Sequence, residues 1–209
     1  MKTYIYLLPF LLLFGFCQSQ TKKAESGKHI GGPCEGCEAI YEYGDRKLKA
    51  VDTLPAYREN EPKIKITGTV YKKDGKTPAR DVILYIYHTN RKGIYETRKS
   101  SKNWERRHGF IRGWIKTDKD GRYTFYTFRP GAYPNRQAAE HIHITVKEPD
   151  KNEYYIDSYM FTDDPLLTEP MKRSSPGRGG QGIVTPQYRN GMLLVQRDII
   201  LGLNIPGYD

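Results

Sequence analysis

The tripeptide His141-Ile142-His143 is the stretch of this sequence with the plainest chemical meaning. In a strand, residues two apart project to the same face, about 6.6 Å apart along the chain. Two imidazoles so spaced can converge on one metal ion while Ile142 faces a core. The same spacing also describes an ordinary polar strand face, and the tripeptide alone does not choose between the two. Shortly upstream, Pro130-Gly131-Ala132-Tyr133-Pro134 reads as a rigid turn presenting a phenol. Further back, Gly93-Ile94-Tyr95 closes a strand and turn that begin at Val82. A tyrosine by itself is more often a packed aromatic with a bonded hydroxyl. A phenol, with its pKa of about 10, becomes an anionic ligand only when a strong cation sits against the oxygen.

Such residues need elements to hold them. Lys63 to Tyr71 alternates Ile64, Ile66 and Val70 with polar positions, the period of a half-buried strand. Val82 to Tyr87 reads as a more deeply buried strand, and Arg122 to Phe128, His141 to Lys147 and Tyr154 to Phe161 alternate again. Met192 to Leu201 closes the series. Asp74-Gly75 and Asp118 to Gly121 supply turn chemistry between strands. Short strands divided by Gly, Asp and Pro predict an all-β fold, an antiparallel β-sandwich with long loops. No segment shows a helical stripe. Arg173 to Gly182, rich in Gly, Ser and Arg, is expected to be an irregular mobile loop, either covering a site or simply flexible. His88 and His108 are expected on the polar surface, and Trp104 and Trp114 in packing rather than in a substrate wall.

At 209 residues the chain suits one ordinary domain with appendages. Met1-Lys2 followed by the apolar run Tyr4 to Phe16 has the layout of an export signal. Its end, Leu13-Phe14-Gly15-Phe16-Cys17, resembles a bacterial lipoprotein cleavage site with Cys17 as lipid acceptor. Phe16 is large for that pattern, so ordinary cleavage nearby is the rival reading. A lipid on Cys17 would anchor the chain to the bacterial envelope without spanning it; otherwise the chain is expected to be periplasmic or secreted. Gln18 to His29 reads as a polar tether, with residues 30–209 as one β-sandwich domain. Of three cysteines, Cys34 and Cys37 remain, and in an oxidising compartment they read first as a small disulfide loop. The formal net charge is +10, and losing residues 1–17 would remove only Lys2. The cations are scattered and no nucleic-acid motif accompanies them, so nucleic acid is not an expected partner. A basic surface favours anionic small molecules, a carboxylated substrate among them.

Taken in order, these segments resemble the intradiol ring-cleavage dioxygenases. The resemblance runs from Ile66-Thr67-Gly68-Thr69-Val70 through Asp74-Gly75, Val82 to Asn90 and Gly93-Ile94-Tyr95. It continues through Arg112-Gly113, Thr117-Asp118, Asp120-Gly121-Arg122-Tyr123, Arg129-Pro130-Gly131, Tyr133-Pro134 and His141-Ile142-His143. Tyr159-Met160-Phe161, Asp164-Pro165 and Arg197-Asp198-Ile199 complete it, so the match spans roughly Pro62 to Gly202.

The resemblance implies that Tyr95, Tyr133, His141 and His143 ligate a non-haem Fe(III) ion. Two anionic oxygens with two ring nitrogens also suit a hard trivalent ion better than zinc or copper(I). It further implies that a catechol binds as a dianion, displaces Tyr133, and leaves that phenolate free to take a substrate proton. Dioxygen would then open the ring to a cis,cis-muconate-type diacid. The family usually carries an arginine three residues before the first histidine. Here that position is Ala138, and Arg136 is the residue expected to take the role. Ser158 stands where many relatives have a glutamine. A rival of another class is an exported binding module resembling transthyretin-like or carboxypeptidase-regulatory-like β-sandwiches. Such a module gives no reason for Tyr-Pro followed by His-x-His. The substrate and the oligomeric state are left open.

Overall fold

The computed structural model describes Met1, residues 29–135 and residues 137–209. The export signal with Cys17, tether residues 18–28 and Arg136 therefore lie outside the described residues. Among the described residues the strands are β1 (Val51–Thr53), β2 (Lys63–Tyr71), β3 (Ile83–Tyr87), β4 (Arg112–Lys116), β5 (Arg122–Phe128) and β6 (His141–Lys147). They continue with β7 (Tyr154–Phe161), β8 (Ile183–Val184), β9 (Gln187–Arg189), β10 (Met192–Gln196) and β11 (Ile199–Ile200). Two short helices, α1 (Glu105–His108) and α2 (Glu169–Ser174), and a 3-10 turn at Cys37–Tyr41 complete the set.

One sheet has the order β1-β5-β2-β10-β9, with β11 also paired to β2, and the other β4-β3-β6-β7-β8. The all-β sandwich is as expected, but a purely antiparallel one is not. The pairs β1–β5, β2–β10, β2–β11 and β7–β8 are parallel. Each parallel neighbour arrives by a long connection rather than a hairpin, which is what parallel pairing requires.

The alternation of β2 and β5 turns Ile64, Ile66, Val70, Tyr123 and Phe125 inward against Leu84, Ile86, Ile142, Ile144, Val146 and Ile156. Removing each such aliphatic side chain from water contributes about 1.5–3 kcal/mol. The second sheet is also covered on its outer face. There Ala39 and Ile40 of the 3-10 turn pack on Tyr85 and Trp114, behind a loop closed by the Cys34–Cys37 disulfide. Trp114 is 4% exposed and donates from Nε1 to the Ala39 carbonyl at 3.2 Å. Trp104 packs against the same cluster, so both indoles serve packing.

Two expectations are corrected. Met192 to Leu201 is two strands, because the Asp198 carboxylate accepts the Thr69 N–H at 2.8 Å and interrupts the ladder. Arg173 and Ser174 belong to α2, capped by Thr168, whose hydroxyl accepts from Met171 N. The following loop is tied down rather than free: Asp157 Oδ2 accepts from Ser175 Oγ at 2.5 Å and Gly177 N at 2.9 Å. Arg178, 5% exposed, donates to the Gly31 carbonyl at 2.7 Å.

Candidate metal centre

Two loops carry the phenols, and their backbones interlock. After β3, Asn90 Oδ1 accepts from Lys92 N at 2.9 Å and Ile94 N at 3.1 Å, folding the chain back so that Tyr95 follows a tight turn. The loop after β5 meets it through Gly131 N to the Asn90 carbonyl at 3.0 Å and Thr89 Oγ1 to the Gly131 carbonyl at 2.7 Å. Arg91 Nη1 donates to the carbonyls of Arg129 and Pro130, both at 2.9 Å. Gly93 is required here: its φ is +76° and a Cβ would lie 1.8 Å from the Ala132 carbonyl oxygen. Gly131 is also confined: a Cβ there would lie 2.5 Å from the Arg91 carbonyl oxygen.

The histidines come from the outer face of β6, opposite buried Ile142 and Ile144. Their tips and the two phenol oxygens form a closed ring. Tyr95 Oη lies 2.7 Å from Tyr133 Oη, Tyr133 Oη 3.1 Å from His141 Nε2, His141 Nε2 3.1 Å from His143 Nε2, and His143 Nε2 2.8 Å from Tyr95 Oη. Donors bonded at about 2.1 Å to one ion stand about 3.0–3.4 Å from their neighbours, close to these separations. The set therefore fits a metal ion. Among the described residues no group of three or more His, Cys, Asp or Glu could hold one, so a metal here needs the phenols.

Protonation suits the same end. His141 Nδ1 sits 2.7 Å from the Ala139 carbonyl, which can only accept, so Nε2 carries the lone pair. Burial lowers the pKa of His141, and burial together with the neighbouring His141 holds His143 well below the usual histidine range. Both rings are therefore neutral and ligand-ready at pH 7. Burial first, then the hydrogen bond with Tyr133, pushes the Tyr95 phenol far above its ordinary range, so only an adjacent cation would make it a phenolate. Arg136 lies outside the described residues.

A family model described as Dioxygenase matches residues 47–192, well over half the chain. The chain belongs to the intradiol ring-cleavage dioxygenase family. This is a family of oxygenase enzymes, generally dependent on non-haem iron. The chain is 30% identical over 147 residues to the protocatechuate 3,4-dioxygenase beta chain of Burkholderia cepacia, aligning 64% of itself with 62% of that protein. Less than two thirds of that relative's length is thus represented here. In structure it resembles the dioxygenase domain of a dioxygenase carbohydrate-binding protein fusion from Streptomyces sp. SirexAA-E. The TM-score is 0.54 at 18% identity, over 77% of this chain and 94% of that one. It likewise resembles catechol 1,2-dioxygenase from Acinetobacter radioresistens, with a TM-score of 0.54 at 16% identity over 76% and 59% of the two chains. At such identities these two likenesses speak for the fold.

In this family member, side chains from outside the four candidate donors pack behind them. His143 is stacked on Tyr87 at 4.5 Å between ring centres, and Tyr87 on His108 at 3.8 Å with ring planes only 4° apart. His108 is not on the surface, as its sequence context suggested, but 6% exposed, with Nδ1 2.9 Å from Tyr85 Oη. His88 is likewise wholly buried, bridging Thr127 Oγ1 at 2.6 Å and the Thr89 carbonyl at 2.8 Å. Burial lowers both imidazoles to a pKa of about 4. The one available signal was period: Tyr85 and Tyr87 alternate with core residues Leu84 and Ile86, so they share the face that His143 occupies across the ladder. Ser158 Oγ stands 3.4 Å from His143 Nδ1. Beside this ring, cavities of about 240 and 470 Å³ flank His143 and share Tyr155, Ile156 and Ser158 as walls.

Proposed function

We propose that this chain is a non-haem Fe(III) intradiol dioxygenase that opens a catecholic ring with dioxygen, giving a cis,cis-muconate-type diacid. The observation that carries the reading is the four-membered ring of Tyr95, Tyr133, His141 and His143 donors, with neighbours 2.7–3.1 Å apart. These four residues would hold the iron, which when bound supplies Lewis acidity and a template for a chelated catechol dianion.

The rest falls to the chain. His141 and His143, kept neutral by burial, present nitrogen lone pairs. Tyr95 is gripped by the Asn90 turn and is the phenol that stays in place. Tyr133 sits on the neighbouring loop with its oxygen between Tyr95 and His141, where its phenolate would be placed to accept a proton from an incoming catechol hydroxyl. Arg136 is the residue proposed to face charge developing on the ring.

The test is metal analysis with visible absorption, before and after adding catechol. A reddish protein with tyrosinate-to-iron charge transfer, taking up oxygen with catechols and impaired by Tyr133→Phe, supports the reading. A colourless chain that takes up no iron on reconstitution sinks it. We also propose export with a lipid anchor on Cys17. Cys17→Ser should move the protein from the membrane fraction to the soluble one.

A further inference from the structure

His141 and His143 both line an open cleft of about 470 Å³. Cavities of about 300–1,000 Å³ suit drug-sized ligands, and a bare catechol ring is much smaller. The space exists because the side chains around it are short: Ala138, Ala139, Ser158 and Ser174 end at or just beyond Cβ. Met160 and Met171 supply adaptable apolar walls.

No Lys or Arg lines the cleft among the described residues, and its one carboxylate is engaged. Asp157 Oδ2 accepts from Ser175 Oγ and Gly177 N, at 2.5 and 2.9 Å. Among these described lining residues a carboxylate would lose water without gaining a cationic partner. Tyr155, 40% exposed, lines both cavities and is held from behind by the Arg178 guanidinium, 3.6 Å from its ring centre. The cleft thus presents a fixed aromatic surface to whatever projects from the donor ring.

We infer that the preferred substrate is an uncharged catechol bearing an apolar aryl or alkyl substituent, which occupies the cleft bounded by Ala138, Tyr155, Met160 and Met171. The inference rests on the dioxygenase reading and runs against the carboxylated substrate that net charge alone would favour.

The test compares oxygen uptake by the iron-loaded full chain with catechol, 4-phenylcatechol and 3,4-dihydroxybenzoate. The expected kcat/KM for 4-phenylcatechol is about tenfold above catechol, with 3,4-dihydroxybenzoate lowest. Met171→Trp, which fills the cleft, and Tyr155→Ala, which removes the aromatic surface, should each cut the 4-phenylcatechol-to-catechol ratio about tenfold. In parallel, calorimetry with 4-phenylphenol on the metal-free chain should show binding weakened about tenfold by Met171→Trp. Turnover of catechol or 3,4-dihydroxybenzoate at or above the rate of 4-phenylcatechol overturns the inference and leaves the dioxygenase reading standing. No turnover of any of the three, with no charge-transfer band, overturns both.

Discussion

Strand β6 has two faces that do different work. On the inner one, Ile142 and Ile144 are 0 and 2% exposed and belong to the hydrophobic core. On the outer one, His141 and His143 are partly buried and meet oxygens, nitrogens and a stacked tyrosine. Apolar contact is non-directional, so the inner face tolerates repacking at similar volume. A donor ring has one useful geometry, and each polar group in it needs a defined partner. Stability and chemistry are therefore separated by a single residue step, and a register slip of one would exchange them.

Changes on each face should break this contrast in opposite ways. His143→Ala should abolish bound iron and the visible band and lower kcat by at least about 10³-fold, roughly 4 kcal/mol. The urea midpoint of the metal-free chain should move less than with the inner-face change. That change, Ile144→Ala, is expected to cost about 3 kcal/mol in urea unfolding yet retain full iron stoichiometry under native conditions. An Ile144→Ala chain that folds but takes up no iron would show the two faces to be inseparable.

The buried histidines extend the comparison to pH. His88 has a folded pKa of about 4, below the unfolded value of about 6.5, so between these values the unfolded chain takes up a proton that the folded chain refuses. Its contribution is fully present above about pH 6.5 and is lost as pH falls toward 4, about 3 kcal/mol in all. Urea midpoints of the metal-free chain from pH 8 to 4 should show this, with His88→Gln reducing the slope by about one proton. Gly93→Ala should cost about 2 kcal/mol and shift the visible band, because the added Cβ pushes the Tyr95 loop off the Ala132 carbonyl. The smallest effect is at the Tyr87 stack. Tyr87→Leu should weaken iron retention against a chelator by about 1 kcal/mol, and Tyr87→Phe should restore it.

Legibility followed the same division. Strands β2, β5, β6 and β7 were bounded correctly from sequence, because each has one wet or polar face and so alternates. Strand β4 escaped because Trp114 and Ile115 are adjacent and both buried, one against the outer cluster and one in the core, which leaves no alternation to read. Strands β8 and β11 have two residues each, too few for any period. His88 and His108 were misplaced for a related reason: a buried histidine needs partners that sit elsewhere in the chain, Thr127 and Tyr85 here.

The amino-acid order by itself determined the all-β architecture, the candidate donors and the family, since alternation, turn residues and motif spacing are local properties. Tertiary structure alone decided that the Tyr95 and Tyr133 loops interlock through Gly93 and Gly131, that a Tyr87–His108 stack backs His143, and that a cleft opens beside the histidines. Those features depend on distances between residues far apart in the chain, and only closing the sandwich brings them within reach of one another.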